Sequence, residues 1–214
     1  MFQSSTLTWG DHFIGDAATL PNATNWLFTT GTSYPGGSAN FGTGEIETYT
    51  DAIANVQLSG RDSLQTTTIK ESAGAWTSAR IETQRTDFVA AAGGKMRIQA
   101  SFSLPDVGNK AIGYWPAFWA LGSALRGNYL HRNWPAVGEL DIMENVNGLS
   151  ETWGTMHCDV NPGGACNETD GLSGNDNPPT PQESHPHIRA IRNCCIIKNI
   201  PFFKLLQQLL FIAK

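Results

Sequence analysis

No stretch before residue 185 repeats with the 3.6-residue period of an amphipathic helix. Short apolar or β-branched runs recur instead, each closed by a turn. Ser5–Trp9 ends in Gly-Asp, and Glu45–Thr50 alternates with period two. Asn55–Leu58 and Leu64–Ile69 are separated by Ser59-Gly60-Arg61-Asp62. Ala79–Thr83 and Lys95–Leu104 follow, the second stopped by Pro105-Asp106-Val107-Gly108. Tyr114–Leu121, Gly138–Val146 and Thr152–Cys158 complete the series. Runs of this length, so spaced, predict an all-β sandwich or barrel.

Composition agrees. Of 214 residues, 40% are apolar and only 15% charged, with 22 Gly and 7 Trp. That is enough apolar material for a core, which excludes full-length disorder. No apolar run reaches the length of a membrane span, so no membrane partner is expected. The net charge of −5 argues against nucleic acid as a partner. The charge is uneven: residues 1–186 carry −10 and residues 187–214 carry +5. All seven Trp lie at or before Trp153. The two materials meet near Pro178-Pro179-Thr180-Pro181. Beyond that point Phe202, Phe203, Leu205, Leu206, Leu209, Leu210 and Ile212 approximate a helical stripe, which predicts a short amphipathic helix.

Met1–Ser5 has neither a basic nor an apolar leader region, so no signal peptide is expected. Two glycosylation sequons start at Asn22 and Asn167. Cys158 and Cys166 flank a Gly/Pro/Asn-rich loop that a disulfide would close in a secreted protein. The adjacent Cys194 and Cys195 fit neither a zinc site nor a redox pair. His185-Pro186-His187 has no third ligand nearby and reads as a loop. No cofactor and no metal site are expected.

Gly138–Val146 carries the chemistry. Side chains alternate faces along a strand, so Glu139 and Asp141 share one face while Leu140 and Ile142 take the other. Glu144 has the wrong parity. One extra residue, a β-bulge at Ile142-Met143, would return it to the acidic face. Three crowded carboxylates repel and bring a purely structural strand no gain. Retaining glycoside hydrolysis does gain, because it needs one ionised and one protonated carboxyl. Neighbouring charge is a means of separating their proton affinities. A solvated acidic strand face is the competing reading. Trp115, Trp119 and Trp134 lie within 30 residues of the acids. Sugar rings stack on such aromatic planes, and Trp119 is the one expected in the core.

At these residues the chain resembles glycoside hydrolase family 16. Glu139-Leu140-Asp141-Ile142-Met143-Glu144 resembles its bulged catalytic signature. Thr8–Phe13, Gly44–Thr50, Trp76–Ile81, Gly113–Gly122 and Gly154–Cys158 resemble further family segments in the family's order. The resemblance is nearest to fungal, laminarinase-like endo-1,3(4)-β-glucanases. It implies a β-jelly-roll sandwich, a β-glucan polysaccharide as substrate, secretion and a monomer. It also implies Glu139 as nucleophile, Glu144 as acid/base and Asp141 as assistant to Glu139. Trp115, Trp134 and His157 would line the substrate site. Arg80 and Asn40 are weaker carry-overs as substrate contacts: for Arg80 a strand-surface ion pair is an equal alternative, and for Asn40 a turn role is the better reading. Glu45 and Glu47 would line the site or face solvent.

The resemblance stops near Gly174–Glu183. Residues 5–182 then read as a partial catalytic domain. Residues 183–214 read as an aberrant tail of a truncated chain. A glucan-binding module, a cell-wall transglycosylase and an inactive gene fragment are the rivals to a hydrolase. The intact carboxylate set favours an enzyme over a binding module.

Overall fold

A run of β-branched and aromatic residues gains most when buried on a pleated sheet, and the chain follows this rule. A computed structural model describes residues 6–90, 92–108, 112–126, 133–176, 189–198 and 205–213, the last two segments as backbone. These residues form strands β1 (Trp26–Thr29), β2 (Glu47–Tyr49), β3 (Val56–Leu58), β4 (Leu64–Thr66), β5 (Ile69–Lys70), β6 (Trp76–Ser78) and β7 (Arg80–Thr83). They continue with β8 (Lys95–Leu104), β9 (Tyr114–Gly122), β10 (Glu139–Glu144), β11 (Thr152–His157), β12 (Leu172–Asp176), β13 (Arg189–Lys198) and β14 (Leu205–Ala213). Helical geometry among the described residues is confined to short 3-10 turns such as Ala39–Gly42 and Ser123–Leu125.

The main sheet is antiparallel, in the order β1-β7-β14-β9-β10-β11-β12. Smaller sheets are β13-β8, β2-β6-β5 and β3-β4. One face of the main sheet carries Phe118, Ala120, Leu140, Ile142 and Met143, packed with Ile98 and Leu104 of β8. The rings of Phe102 and Phe118 are 4.9 Å apart across this layer. Towards β1, Trp26, Ala79 and Ile81 pack against Val56 of β3. The opposite face holds a second cluster of Tyr34, Phe41, Tyr49, Ala117, Trp119, Leu121 and Leu125.

Several sequence expectations are corrected. Residues 205–213 form a strand rather than an amphipathic helix. β14 pairs with β9 from Leu205↔Gly122 to Ala213↔Tyr114 and with β7 from Gln208↔Glu82 to Leu210↔Arg80. Over nine residues an apolar run matches a strand and a helical stripe equally well, and periodicity alone does not separate them. Residues 6–9 are not a strand. Trp9 instead packs on Trp26 and Phe88 at 5.4 and 5.7 Å, and Asp11 accepts hydrogen bonds from Phe13 N, Trp26 Nε1 and Asn25 Nδ2. The Thr8–Phe13 motif thus pins the N-terminal segment to β1. Leu64–Ile69 is divided between β4 and β5. Pro178–Pro181 and His185–His187 lie outside the described residues.

Candidate active site

β10 is central to the site, and its register contains the expected bulge. Against β9, Asp141 pairs with Trp119 and Met143 with Phe118, leaving Ile142 as the extra residue. Against β11, Asp141 pairs with Thr155 and Glu144 with Trp153. Glu139, Asp141 and Glu144 therefore stand on one face, over Leu121, Trp119 and Ala117. Asn145 ends the strand: its Nδ2 donates to Leu149 O and Glu151 O, at 2.7 and 2.8 Å.

Each glutamate is held by an indole. Trp134 Nε1 donates to Glu139 Oε2 at 2.6 Å, and Trp115 Nε1 donates to Glu144 Oε1 at 2.9 Å. Trp134 reaches Glu139 because its loop folds tightly back on β9. Gly122 N donates to Gly138 O, and a Cβ on Gly122 would fall 1.9 Å from Val137 O. Only glycine fits that approach. Withdrawal from water, then the Asp141 charge, push the Glu139 carboxyl well above its ordinary range; the Trp134 hydrogen bond opposes this. Burial likewise raises Asp141, against the opposing effect of His157.

His157 closes the row from β11, opposite Glu139 in register. Its Nε2 lies 3.4 Å from Asp141 Oδ2, and its Nδ1 lies 2.8 Å from Glu168 Oε2. Burial disfavours the charged ring, but these carboxylates outweigh it and push the imidazole up to about 9. The Trp134 and His157 rings are 5.4 Å apart. Glu168 is a participant the sequence reading missed. It lies two residues beyond Cys166, whose disulfide to Cys158 is formed with a Cα separation of 5.4 Å. A loop-closing disulfide beside a candidate site histidine was the available signal.

Arg80 belongs to the buried aromatic cluster beside the acids. It is 3% exposed, which contradicts a surface ion pair and leaves almost no surface for a sugar. Its guanidinium faces the rings of Phe41 and Trp119 at 4.5 and 4.9 Å. It also donates to Tyr34 Oη at 2.9 Å and lies 3.7 Å from Glu45 Oε1. Glu45 and Glu47 are buried too, which corrects both readings given for them: Tyr49 Oη is 2.6 Å from Glu45 and 2.8 Å from Glu47. Between them Ile46 is 55% exposed. Asn40 is exposed, at positive φ, and its carbonyl accepts from Thr43 and Gly44 N–H groups, which is a turn role. Trp119 is buried as expected, but on the site face rather than between the sheets.

A family model described as the XgeA-like, catalytic GH16 domain matches residues 48–199. The chain belongs to glycoside hydrolase family 16. The matched segment takes in β13 as well as the acid strand. Family 16 catalytic domains are glycosidases, and the all-β architecture is the family's jelly roll. Among solved structures, endo-1,3-β-glucanase from Streptomyces sioyaensis is 43% identical, with a TM-score of 0.84 over 95% of this chain and 83% of that one. Endo-β-1,3-glucanase from Pyrococcus furiosus shares the fold at 22% identity and a TM-score of 0.68, over 97% and 83% of the two chains. LamA from Z. galactanivorans, solved with laminaritriose and laminaritetraose, shares it at 22% identity and 0.64, over 97% and 88%. No curated protein matches.

Proposed function

We propose that this family 16 glycosidase cleaves internal β-1,3 bonds of β-glucan, or of mixed β-1,3/1,4-glucan, with retention of configuration. The observation that carries this reading is the bulge at Ile142. It brings Glu144 onto the face of Glu139 and Asp141, where each glutamate meets an indole N–H. The substrate class follows from 43% identity to an endo-1,3-β-glucanase.

In the first step Glu139 attacks the anomeric carbon as Glu144 gives its proton to the departing glycosidic oxygen. A glycosyl ester on Glu139 results. Glu144, now ionised, takes a proton from water, and that water displaces Glu139 from the sugar. Two inversions restore the starting configuration. Burial raises Glu139's proton affinity, and Asp141, between the two on the same face, adds to that rise through its charge. The Trp134 hydrogen bond favours the ionised form needed for attack. Trp115, Trp134 and His157 flank the sugar on either side of the cleaved bond. Arg80 supports the floor through the aromatic layer.

The Cys158–Cys166 disulfide fits an extracellular setting, as expected of an enzyme that meets cell-wall or storage polysaccharide outside the cell. No helix among the described residues is long and apolar enough to cross a membrane. We read the protein as a laminarinase-like monomer, with the fungal affinity that its motif spellings suggest.

Proton NMR of a laminarin digest tests the stereochemistry. The β-anomer of the new reducing end should appear first, with the α-anomer rising later by mutarotation. Initial α-anomer would refute retention. Chain lengthening in place of water-dependent shortening would identify the transglycosylase instead.

A further inference from the structure

Both nitrogens of the His157 ring face carboxylates: Glu168 Oε2 at Nδ1 and Asp141 Oδ2 at Nε2. A neutral imidazole carries one N–H, so it would turn a lone pair towards one of those oxygens. An imidazolium satisfies both. The ring is also held in place. Trp134 lies beside it, and a Cβ on Gly171 would come within 2.8 Å of Cε1. The charged groups around it are Asp141 and Glu139 from β10 and Glu168 from the loop after β11.

Glu168 is itself fixed. It is 6% exposed, and its second oxygen accepts the Cys158 N–H at 2.8 Å. Its backbone exchanges two hydrogen bonds, both 2.6 Å, with Gly163, which lies inside the loop that Cys158–Cys166 closes. The proposed chemistry does not use Glu168, and an isolated buried carboxylate costs stability unless it is paired.

We infer that Glu168 is a positioning residue that keeps His157 doubly protonated and aimed at Asp141. The two residues that flank the Cys158–Cys166 loop thereby supply the acid row with a fixed cation. In its kinetic consequence this rests on the glycosidase reading. The imidazolium offsets the mutual repulsion of Asp141 and Glu139, so that Glu139 can ionise for attack beside a charged neighbour. Glu168 would therefore act on the nucleophile through His157 and Asp141 without touching substrate.

The test uses the full chain and Glu168→Gln. This variant keeps the size and the carbonyl acceptor for Cys158 N–H but removes the charge. Nitrogen-15 NMR of the His157 ring across pH 5–10 reads its protonation directly, with His157→Asn to assign the signal. The ring of the unaltered protein should remain doubly protonated past neutral pH. In Glu168→Gln it should lose its proton at least about one pH unit lower. The kcat on laminarin should fall about tenfold with KM within about twofold, and the alkaline limb of the rate profile should move with the ring. An unaltered protein whose ring is neutral at pH 7, or identical ring titrations in the two proteins, would overturn the inference. A lower melting temperature with an unmoved ring titration and alkaline limb would also overturn it, leaving Glu168 a structural role. If the unaltered protein cleaves no glucan, the glycosidase reading fails, while the ring titration still decides what Glu168 does.

Discussion

Trp134 donates its indole N–H to Glu139 over 2.6 Å, so the tryptophan that a sequence reader assigns to sugar stacking is also bonded to the candidate nucleophile. The matching bond from Trp115 to Glu144 makes the pair symmetrical: each glutamate meets the N–H edge of one indole.

Trp134→Phe separates these two roles. Phenylalanine keeps a stacking surface but removes the donor that favours ionised Glu139. Hydrogen bonds to charged groups contribute about 1.5–3 kcal/mol, so kcat/KM should fall about 10- to 100-fold. The acid limb of the pH–rate profile should move to higher pH. An unmoved acid limb would show that the hydrogen bond does not tune Glu139.

Stability should fall as pH rises from 6 to 9. His157 is raised from 6.5 to about 9, so the folded protein keeps a proton that the unfolded chain has lost. That stabilisation is complete below 6.5 and disappears as pH passes 9. Glu139 is also raised above its ordinary value, mainly by burial, and acts with the same sign over its own window. Melting curves at intervals across this range check the trend, and His157→Asn should flatten its upper half. A melting temperature that climbs with pH would be inconsistent with these environments.

Gly171→Ala should damage the site without removing any functional group. Gly171 has φ +73, and an added Cβ would lie 2.8 Å from His157 Cε1 and 2.6 Å from Thr155 Cγ2. Left-handed backbone costs a non-glycine residue about 1–2 kcal/mol, and overpacking adds about 1–3 kcal/mol. Chemical denaturation and laminarin kinetics should both register the change. Wild-type values for both would mean that the ring moves aside freely.

Arg80→Met tests the buried cluster beside the acids. It leaves Glu45 without its buried cationic neighbour, a kind of loss that costs about 3–5 kcal/mol. Arg80→Lys keeps the charge but loses the planar contact with Phe41 and Trp119, and should rescue only in part. Full stability in Arg80→Met would show that the buried charges compensate one another by another route.

The catalytic strand was legible because its chemistry breaks a rule. Three acids on a period-two strand are improbable, and the parity error at Glu144 demanded the bulge that the register shows at Ile142. The span of β8 was legible because Lys95–Leu104 is bounded by turn residues. The alternation of Glu45, Ile46 and Glu47 was equally visible, but period two does not say which face is inside. Here the acids are buried and Ile46 is 55% exposed, because Tyr49 and Arg80 wait beneath them. β14 was misread because a short apolar run serves a central strand and a helix stripe alike. Glu168 escaped because its meaning depends on a loop that returns it beneath His157, a contact that no local pattern encodes.

Reducing-sugar release from laminarin by the unaltered chain and by Glu139→Gln, at equal concentration and pH, bears most directly on the role of Glu139. Glutamine keeps the shape of the side chain and the neighbourhood of Trp134 but cannot form the glycosyl ester. The variant should be slower by at least about a thousandfold, which corresponds to about 4 kcal/mol of lost transition-state stabilisation. Equal rates for the two proteins would contradict Glu139 as the nucleophile and the mechanism built on it.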